Sequence, residues 1–275
     1  MNLENKKKKR YKFDFTIITV VKNDESNIEK TIKSALSQKN INIQYIVLDG
    51  FSKDRTFDNI KKYKNLVKIL RYKDKSFYDG LNYAITFAKG RYIGILNSGD
   101  IYFNDTVLNK VKKKVKNLDF IFGNISFYNH KNEITRNWNL NFLPKKKIFF
   151  HLIAHSSLFI SLDIMKNYLK NYNLKYKIAS DTDLIIRLNL LKNIRFKKID
   201  DYLVFMKTGG LSTNYRFFFK KLTEDLTIIN SYFSYNFFFI YIKKILVKLG
   251  GFFNYNKKIK LKKQLLLTLK RLNEL

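Results

Sequence analysis

Short apolar runs alternate with amphipathic segments over residues 13–100, and this alternation restricts the possible folds more than any other feature of the chain. Residues 15–21 are apolar, and residues 27–38 then place Ile28, Ile32, Ala35 and Leu36 at helical spacing. Residues 45–48 form a second apolar run, closed by Asp49-Gly50. A helix over 57–63, a strand over 67–71, a helix over 79–89 ended by Gly90, and a strand over 92–96 complete the series. Strand–helix–strand order of this kind predicts parallel βαβ units and an α/β fold. Ser26, with Glu29 three residues on, predicts a capping box at the first helix.

In a parallel sheet the carboxyl ends of the strands share one edge, and open α/β sheets bind ligands there. Four polar segments fall at that edge: Thr19 to Asn23; Asp49 through Ser52 to Thr56; Tyr78 through Asp79 to Asn82; and Asn97-Ser98-Gly99-Asp100. Asp49 and Asp100 are therefore expected to face one crevice. One carboxylate there can accept hydrogen bonds from a base or ribose, and the other can hold a hard cation against a diphosphate.

Downstream, the sequence predicts a basic helix over 105–116, a strand over 119–125 and a polar loop or short hairpin over 129–147. An apolar run over 152–160 and a helix over 180–192 follow. Composition changes after about residue 214: residues 211–275 carry 13 Lys and Arg against 3 Asp and Glu, interleaved with aromatic runs. The expected organisation is a basic flexible arm (1–12), one α/β domain (13–212), and a helical, basic and aromatic tail (213–275).

Composition limits the chemistry. With 45% hydrophobic residues a packed core is expected despite the charge. The absence of cysteine removes disulfides, thiolate metal sites and cysteine nucleophiles together. Three histidines (His130, His151, His155) argue against a histidine-built zinc site and leave Mg²⁺ or Mn²⁺ on carboxylate and substrate oxygens. A net charge of +32 points to a polyanionic partner: a nucleotide diphosphate, an anionic membrane surface or nucleic acid. The sequence predicts neither a secretory signal nor a run of the roughly 18 apolar residues that a membrane-spanning helix requires.

The run Thr19-Val20-Val21-Lys22-Asn23, then Asp49-Gly50-Phe51-Ser52-Lys53-Asp54-Arg55-Thr56, then Tyr78-Asp79-Gly80-Leu81-Asn82, then Gly90 to Asp100 resembles family 2 glycosyltransferases of the GT-A fold. The resemblance covers roughly residues 13–212. It implies a mixed, mainly parallel sheet with flanking helices. It also implies an inverting transfer from a nucleotide-sugar donor, UDP by default, to a glycan or lipid-linked glycan of a bacterial surface polysaccharide such as capsule or lipopolysaccharide. By that resemblance Asp49 contacts the nucleotide base, with Thr19, Asn23, Ser52 and Asn97 also on the substrate, and Asp79 and Asn82 belong to the donor side. Asp100 is the final aspartate of an acidic motif that holds Mn²⁺ or Mg²⁺, and Gly99 stands where a second aspartate is commoner. The stretch Ile178-Ala179-Ser180-Asp181-Thr182-Asp183 resembles the segment carrying the catalytic base, which would be Asp181, with Asp183 as the alternative. His155 matches a position near the acceptor, and Thr208-Gly209-Gly210-Leu211-Ser212 a late loop that closes over the donor.

An enzyme with this role is expected in the cytoplasm, peripheral to the inner face of the membrane. Lysines in the tail would pair with anionic lipid, each contributing about 1 kcal/mol. The competing reading is a nucleic-acid-binding protein without transferase activity, suggested by the charge and by aromatics among lysines. Against it, the lysines spread over the whole chain and no nucleic-acid-binding motif appears, so no nucleic acid is expected.

Overall fold

The computed structural model describes residues 11–139, 153–209, 218–233, 242 and 255–275. The expected arm as far as residue 10, the segment 140–147, His151, Gly210–Ser212 of the late loop and most of the aromatic–lysine run (234–241 and 243–254) lie outside the described residues.

The predicted alternation appears as β1 (Phe13–Val21), α1 (Ile28–Leu36), β2 (Ile43–Asp49), α2 (Thr56–Lys61), β3 (Lys68–Arg71), α3 (Phe77–Thr86) and β4 (Gly90–Ile95). β1 pairs in parallel with both β2 and β4, and β2 pairs in parallel with β3. In this register Val21 stands beside Asp49, and Asp49 beside Arg71, so the polar residues after these strands emerge along one edge. Gly90 is required where β4 meets β1, since a Cβ there would lie 2.3 Å from the Phe15 carbonyl carbon and the Thr16 nitrogen.

Beyond the short β5 (Ile101–Tyr102) and α4 (Val107–Lys114) the sheet becomes mixed. β6 (Phe120–Tyr128) and β7 (Ile134–Trp138) form the expected hairpin, with a register shift at Phe127/Tyr128. A 3₁₀ turn (His155–Ser157) leads into β8 (Leu158–Ser161), and a π-helical stretch (Ile164–Leu169) follows. Then come α5 (Ser180–Leu190), the twelve-residue β9 (Phe196–Lys207), α6 (Phe218–Phe233) and α7 (Tyr255–Asn273). The strand order is β3-β2-β1-β4-β8-β6-β9-β5, with β7 on β6.

One apolar layer, on the α3 and α5 side of the sheet, includes Leu81, Ile85, Leu184 and Leu188; the other, on the α1 and α4 side, includes Ile28, Ile32, Leu108 and Val111. The described tail helices build two further, smaller clusters. Leu261, Leu265, Leu269 and Leu272 of α7 pack on Ile101, Tyr128, Ile134 and Phe205, and Ile228 and Ile229 of α6 pack on Tyr176, Ala179 and Ile186.

The capping box does not form. Asn27 precedes α1 without a side-chain cap, and the Glu29 carboxylate instead accepts from Lys62 (3.2 Å) and the Tyr63 hydroxyl (3.3 Å) of the neighbouring α2 segment. A tertiary partner has taken the group that a local cap would use.

Candidate active site

A cleft of about 840 Å³ opens at the carboxyl edge of β1 and β4, between the loops that follow them and the start of α5. One wall is made by two loops joined through backbone-to-side-chain hydrogen bonds. Asn23, in the left-handed region at φ 52°, donates its N–H to Ser52 Oγ (2.9 Å), and its own Oδ1 accepts from Lys53 N–H (2.8 Å). Asp24 N–H donates to Thr56 Oγ1 (2.8 Å). Behind them the buried Asp49 accepts from Ser52 N–H (3.2 Å) and Arg71 Nε (3.1 Å). The Arg71 guanidinium lies over the rings of Phe51 (4.5 Å) and Phe57 (4.0 Å), which makes a flat, charged and aromatic shelf. Asp74 lines the cleft beside Gly50 and Gly80, and burial raises its pKa above the ordinary carboxylate value while Lys22 opposes that rise.

The second corner follows β4. Gly99 takes φ +89° to turn the chain, its N–H donates to Thr31 Oγ1 (2.9 Å), and its carbonyl accepts from Tyr128 Oη (2.6 Å). Asp100, 2% exposed, accepts from Lys207 N–H on Oδ1 (3.0 Å) and from Asn97 Nδ2 on Oδ2 (3.3 Å). Burial pushes its pKa up to about 7, against the pull of those hydrogen bonds. Asn97 Oδ1 and Ser98 Oγ are buried without a partner. With Asp100 they form a hard-oxygen set, the chemistry of Mg²⁺ or Mn²⁺. Among the described residues no group of three acidic or histidine side chains could hold a metal. A cation held there would take most of its ligands from outside the protein.

The third corner is Asp181 in the first turn of α5. Its Oδ1 accepts from Thr182 N–H (2.9 Å) and Tyr78 Oη (3.2 Å), and its Oδ2 faces His155 Nδ1 at 3.2 Å. His155 Nε2 lies 3.3 Å from Asn97 Nδ2. Since Asn97 Nδ2 can only donate, the consistent tautomer carries its proton on Nδ1 and donates to Asp181. A continuous chain thus runs Asp181–His155–Asn97–Asp100. Burial, followed by the Asp181 charge, drives the Tyr78 hydroxyl well above its ordinary pKa, so it remains a donor.

The segment before Asp181 is held from the tail. The Glu224 carboxylate of α6 accepts from the backbone N–H groups of Lys177 (3.0 Å), Ile178 (2.8 Å) and Ala179 (2.9 Å). Asp225 accepts from Thr182 Oγ1 (3.0 Å). Asp183, the alternative base, is buried, ion-paired to Arg187 (2.8 Å) and bonded by Tyr232 Oη (2.9 Å), and it does not line the cleft.

Of the residues singled out from sequence, Asn23, Asn97, Asp100, His155 and Asp181 line the cleft together, as do Thr208 and Gly209 of the late loop. Asp49 and Ser52 stand behind the Asn23 wall rather than on the cleft. Thr19 turns into the core, donating to the Leu96 carbonyl (2.5 Å) and sharing a hydrogen bond with Tyr45 Oη (2.9 Å). Asp79 accepts from Lys75 N–H (2.9 Å), and Asn82 clasps the Tyr172 backbone through both its amide atoms (2.9 Å each). Sequence reasoning missed Asp74, Glu224 and Lys207. No local pattern marks Glu224 or Lys207, whose partners are 45 and 107 residues away.

Residues 16–194 match the family described as Glycosyl transferase family 2. The Escherichia coli protein UDP-Glc:alpha-D-GlcNAc-diphosphoundecaprenol beta-1,3-glucosyltransferase WfaP is 36% identical over 98 residues, which is 35% of this chain and 39% of that protein. The chain thus matches well under half the length of that relative. Among solved structures, S. aureus TarS 1-349 in complex with UDP-GlcNAc superposes with a TM-score of 0.60 at 16% identity, covering 79% of this chain and 66% of that one. Mannosyltransferase PcManGT from Pyrobaculum calidifontis, in complex with GDP-Man and Mn²⁺, gives 0.54 at 13% identity, covering 81% and 66%. At these identities the likeness establishes a shared GT-A architecture.

Proposed function

The chain belongs to glycosyl transferase family 2, and on that premise we propose an inverting transfer of a sugar from a nucleotide-diphosphate donor to a glycan or lipid-linked glycan. The observation that carries the reading is the hydrogen-bonded chain from Asp181 through His155 and Asn97 to Asp100, which puts a carboxylate on each side of one cleft. The acceptor hydroxyl oxygen attacks the anomeric carbon while Asp181 accepts its proton. The bond from that carbon to the donor diphosphate breaks, and its electron pair leaves on the phosphate oxygen. Attack opposite the leaving group inverts the anomeric centre. His155 Nδ1–H and Tyr78 Oη orient the Asp181 carboxylate, and its negative charge favours an oxocarbenium-like transition state.

On the donor side, Asp49 and the Arg71–Phe51 shelf receive the nucleoside, with Asn23 and Ser52 shaping the loop in front. Asp100, Asn97 and Ser98 would hold a divalent cation, which when bound supplies positive charge to the departing diphosphate. The activity for which WfaP is named and the UDP-GlcNAc bound to TarS support UDP as the nucleotide and an undecaprenyl-linked acceptor. No helix among the described residues is long and apolar enough to cross a membrane, and the +32 charge supports peripheral attachment to an anionic inner surface. We place the catalytic unit at 13–212, with α6 and α7 of the tail bracing it.

The deciding experiment is a UDP-sugar panel with Asp181→Asn. The reading expects transfer and donor hydrolysis to vanish while UDP binding stays; full turnover in that variant would remove Asp181 as base.

A further inference from the structure

In the corner where the acidic motif is short of one carboxylate, a lysine occupies the space. A Cβ on Gly99 would lie 3.1 Å from Lys207 Cδ and 3.2 Å from Lys207 Cβ, so the lysine stem fills the volume that a side chain at position 99 would take. The placement is enforced by the sheet: Ile101 and Tyr102 pair with Phe205 and Val204, and Tyr128 pairs with Lys207. Lys207 N–H is bonded to Asp100 Oδ1 (3.0 Å), and its ammonium reaches across to Asn27 Oδ1 at the start of α1. Among the described residues four lysines line the cleft; Lys22, Lys75 and Lys177 are exposed, whereas Lys207 is half-buried and held at both ends.

A diphosphate arriving beside the buried Asp100 needs positive charge close by, and one carboxylate recruits a divalent cation less strongly than two. We propose that Lys207 is a diphosphate-binding residue that supplies part of this charge from the protein itself, and that Gly99 is the space that admits it. The ammonium would exchange Asn27 for phosphate oxygen, a charge-assisted contact. Donor binding is then only partly dependent on metal. The inference rests on the proposed function, which puts the donor diphosphate in this corner.

The test is calorimetric binding of UDP and uridine, with EDTA and with Mn²⁺, to the wild-type chain, Lys207→Met and Lys207→Arg. Methionine keeps the packing stem over Gly99 and removes the charge. The inference expects the wild type to bind UDP in EDTA, and Lys207→Met to bind it about ten- to a hundred-fold more weakly. Lys207→Arg should retain most of the affinity, uridine binding should be the same in all three, and Mn²⁺ should narrow the gap. Equal UDP affinity of Lys207→Met and wild type in EDTA would overturn the inference alone, as would wild-type UDP binding that disappears in EDTA or an equal loss for uridine. Failure of the wild type to bind UDP, GDP or dTDP under either condition would overturn the glycosyl-transfer reading and this inference with it.

Discussion

The two walls of the cleft are built in different ways. The Asn23–Ser52 wall, to which we assign the nucleotide, comes from β1, β2, β3 and the loops after them, where parallel register and neighbouring loops set the geometry almost without help from elsewhere. The wall that carries Asp181 is assembled from α3, the His155 turn, α5 and α6, joined over long separations by side-chain bonds to backbone and to one another. A wall of the first kind tolerates the loss of one contact and answers in affinity. A wall of the second kind exists to aim one carboxylate, so its losses should appear in turnover.

The largest test of that contrast is Asp181→Asn, expected to lower kcat by about 10²- to 10⁴-fold while leaving the UDP dissociation constant unchanged. A parallel loss of UDP affinity would show that the walls are not separable.

Asp100→Asn reverses the usual sign for stability. Burial holds the Asp100 pKa near 7, against 3.8 for an ordinary aspartate, so between those values the folded chain binds the proton more readily than the unfolded chain. Its stabilising contribution is full below the unfolded value and is lost as pH rises through 7. Denaturant titrations in EDTA should therefore find Asp100→Asn gaining stability relative to wild type as pH is raised through that window. A constant difference would refute the assignment.

Glu224→Ala orphans the Lys177, Ile178 and Ala179 amides ahead of Asp181. We expect about 1–3 kcal/mol of lost stability and roughly ten-fold lower kcat, with partial recovery in Glu224→Gln and no change in UDP affinity. Arg71→Met probes the opposite wall: roughly ten-fold weaker UDP binding, with kcat at saturation preserved. The smallest ligand effect belongs to Thr19→Val, which leaves UDP affinity untouched and costs on the order of 1 kcal/mol of stability through the stranded Tyr45 hydroxyl and Leu96 carbonyl.

The same contrast explains what was legible in the sequence. β1, β2 and β4, with Asp49 closing β2 and Asp100 beyond β4, announce themselves because apolar runs and turn residues are local signals. Thr19 shows the limit of that reading: a polar residue near a strand end can face either side, since side chains alternate. β9 was illegible because Lys197-Lys198 and Asp200-Asp201 break its alternation where its pairing with β6 shifts register. Asp181 was reached through a resembling motif, but Glu224, which holds its loop, lies in a segment whose composition suggested only a basic tail. Its role is written in tertiary contacts.

The Phe103 carbonyl, which closes β5 beneath the Asp100 corner, accepts from Thr268 of α7 at 2.8 Å across a sequence separation of 165 residues. At typical ribosomal speeds of about 5–20 residues per second, that partner emerges roughly 8 to 30 s after Phe103. During synthesis the apolar faces of Ile101 and Phe205 wait uncovered for Leu265 and Leu269. The nascent chain thus has a vulnerable interval in which the parallel strands β1 to β4 can already be folded but the floor of the Asp100 corner is open.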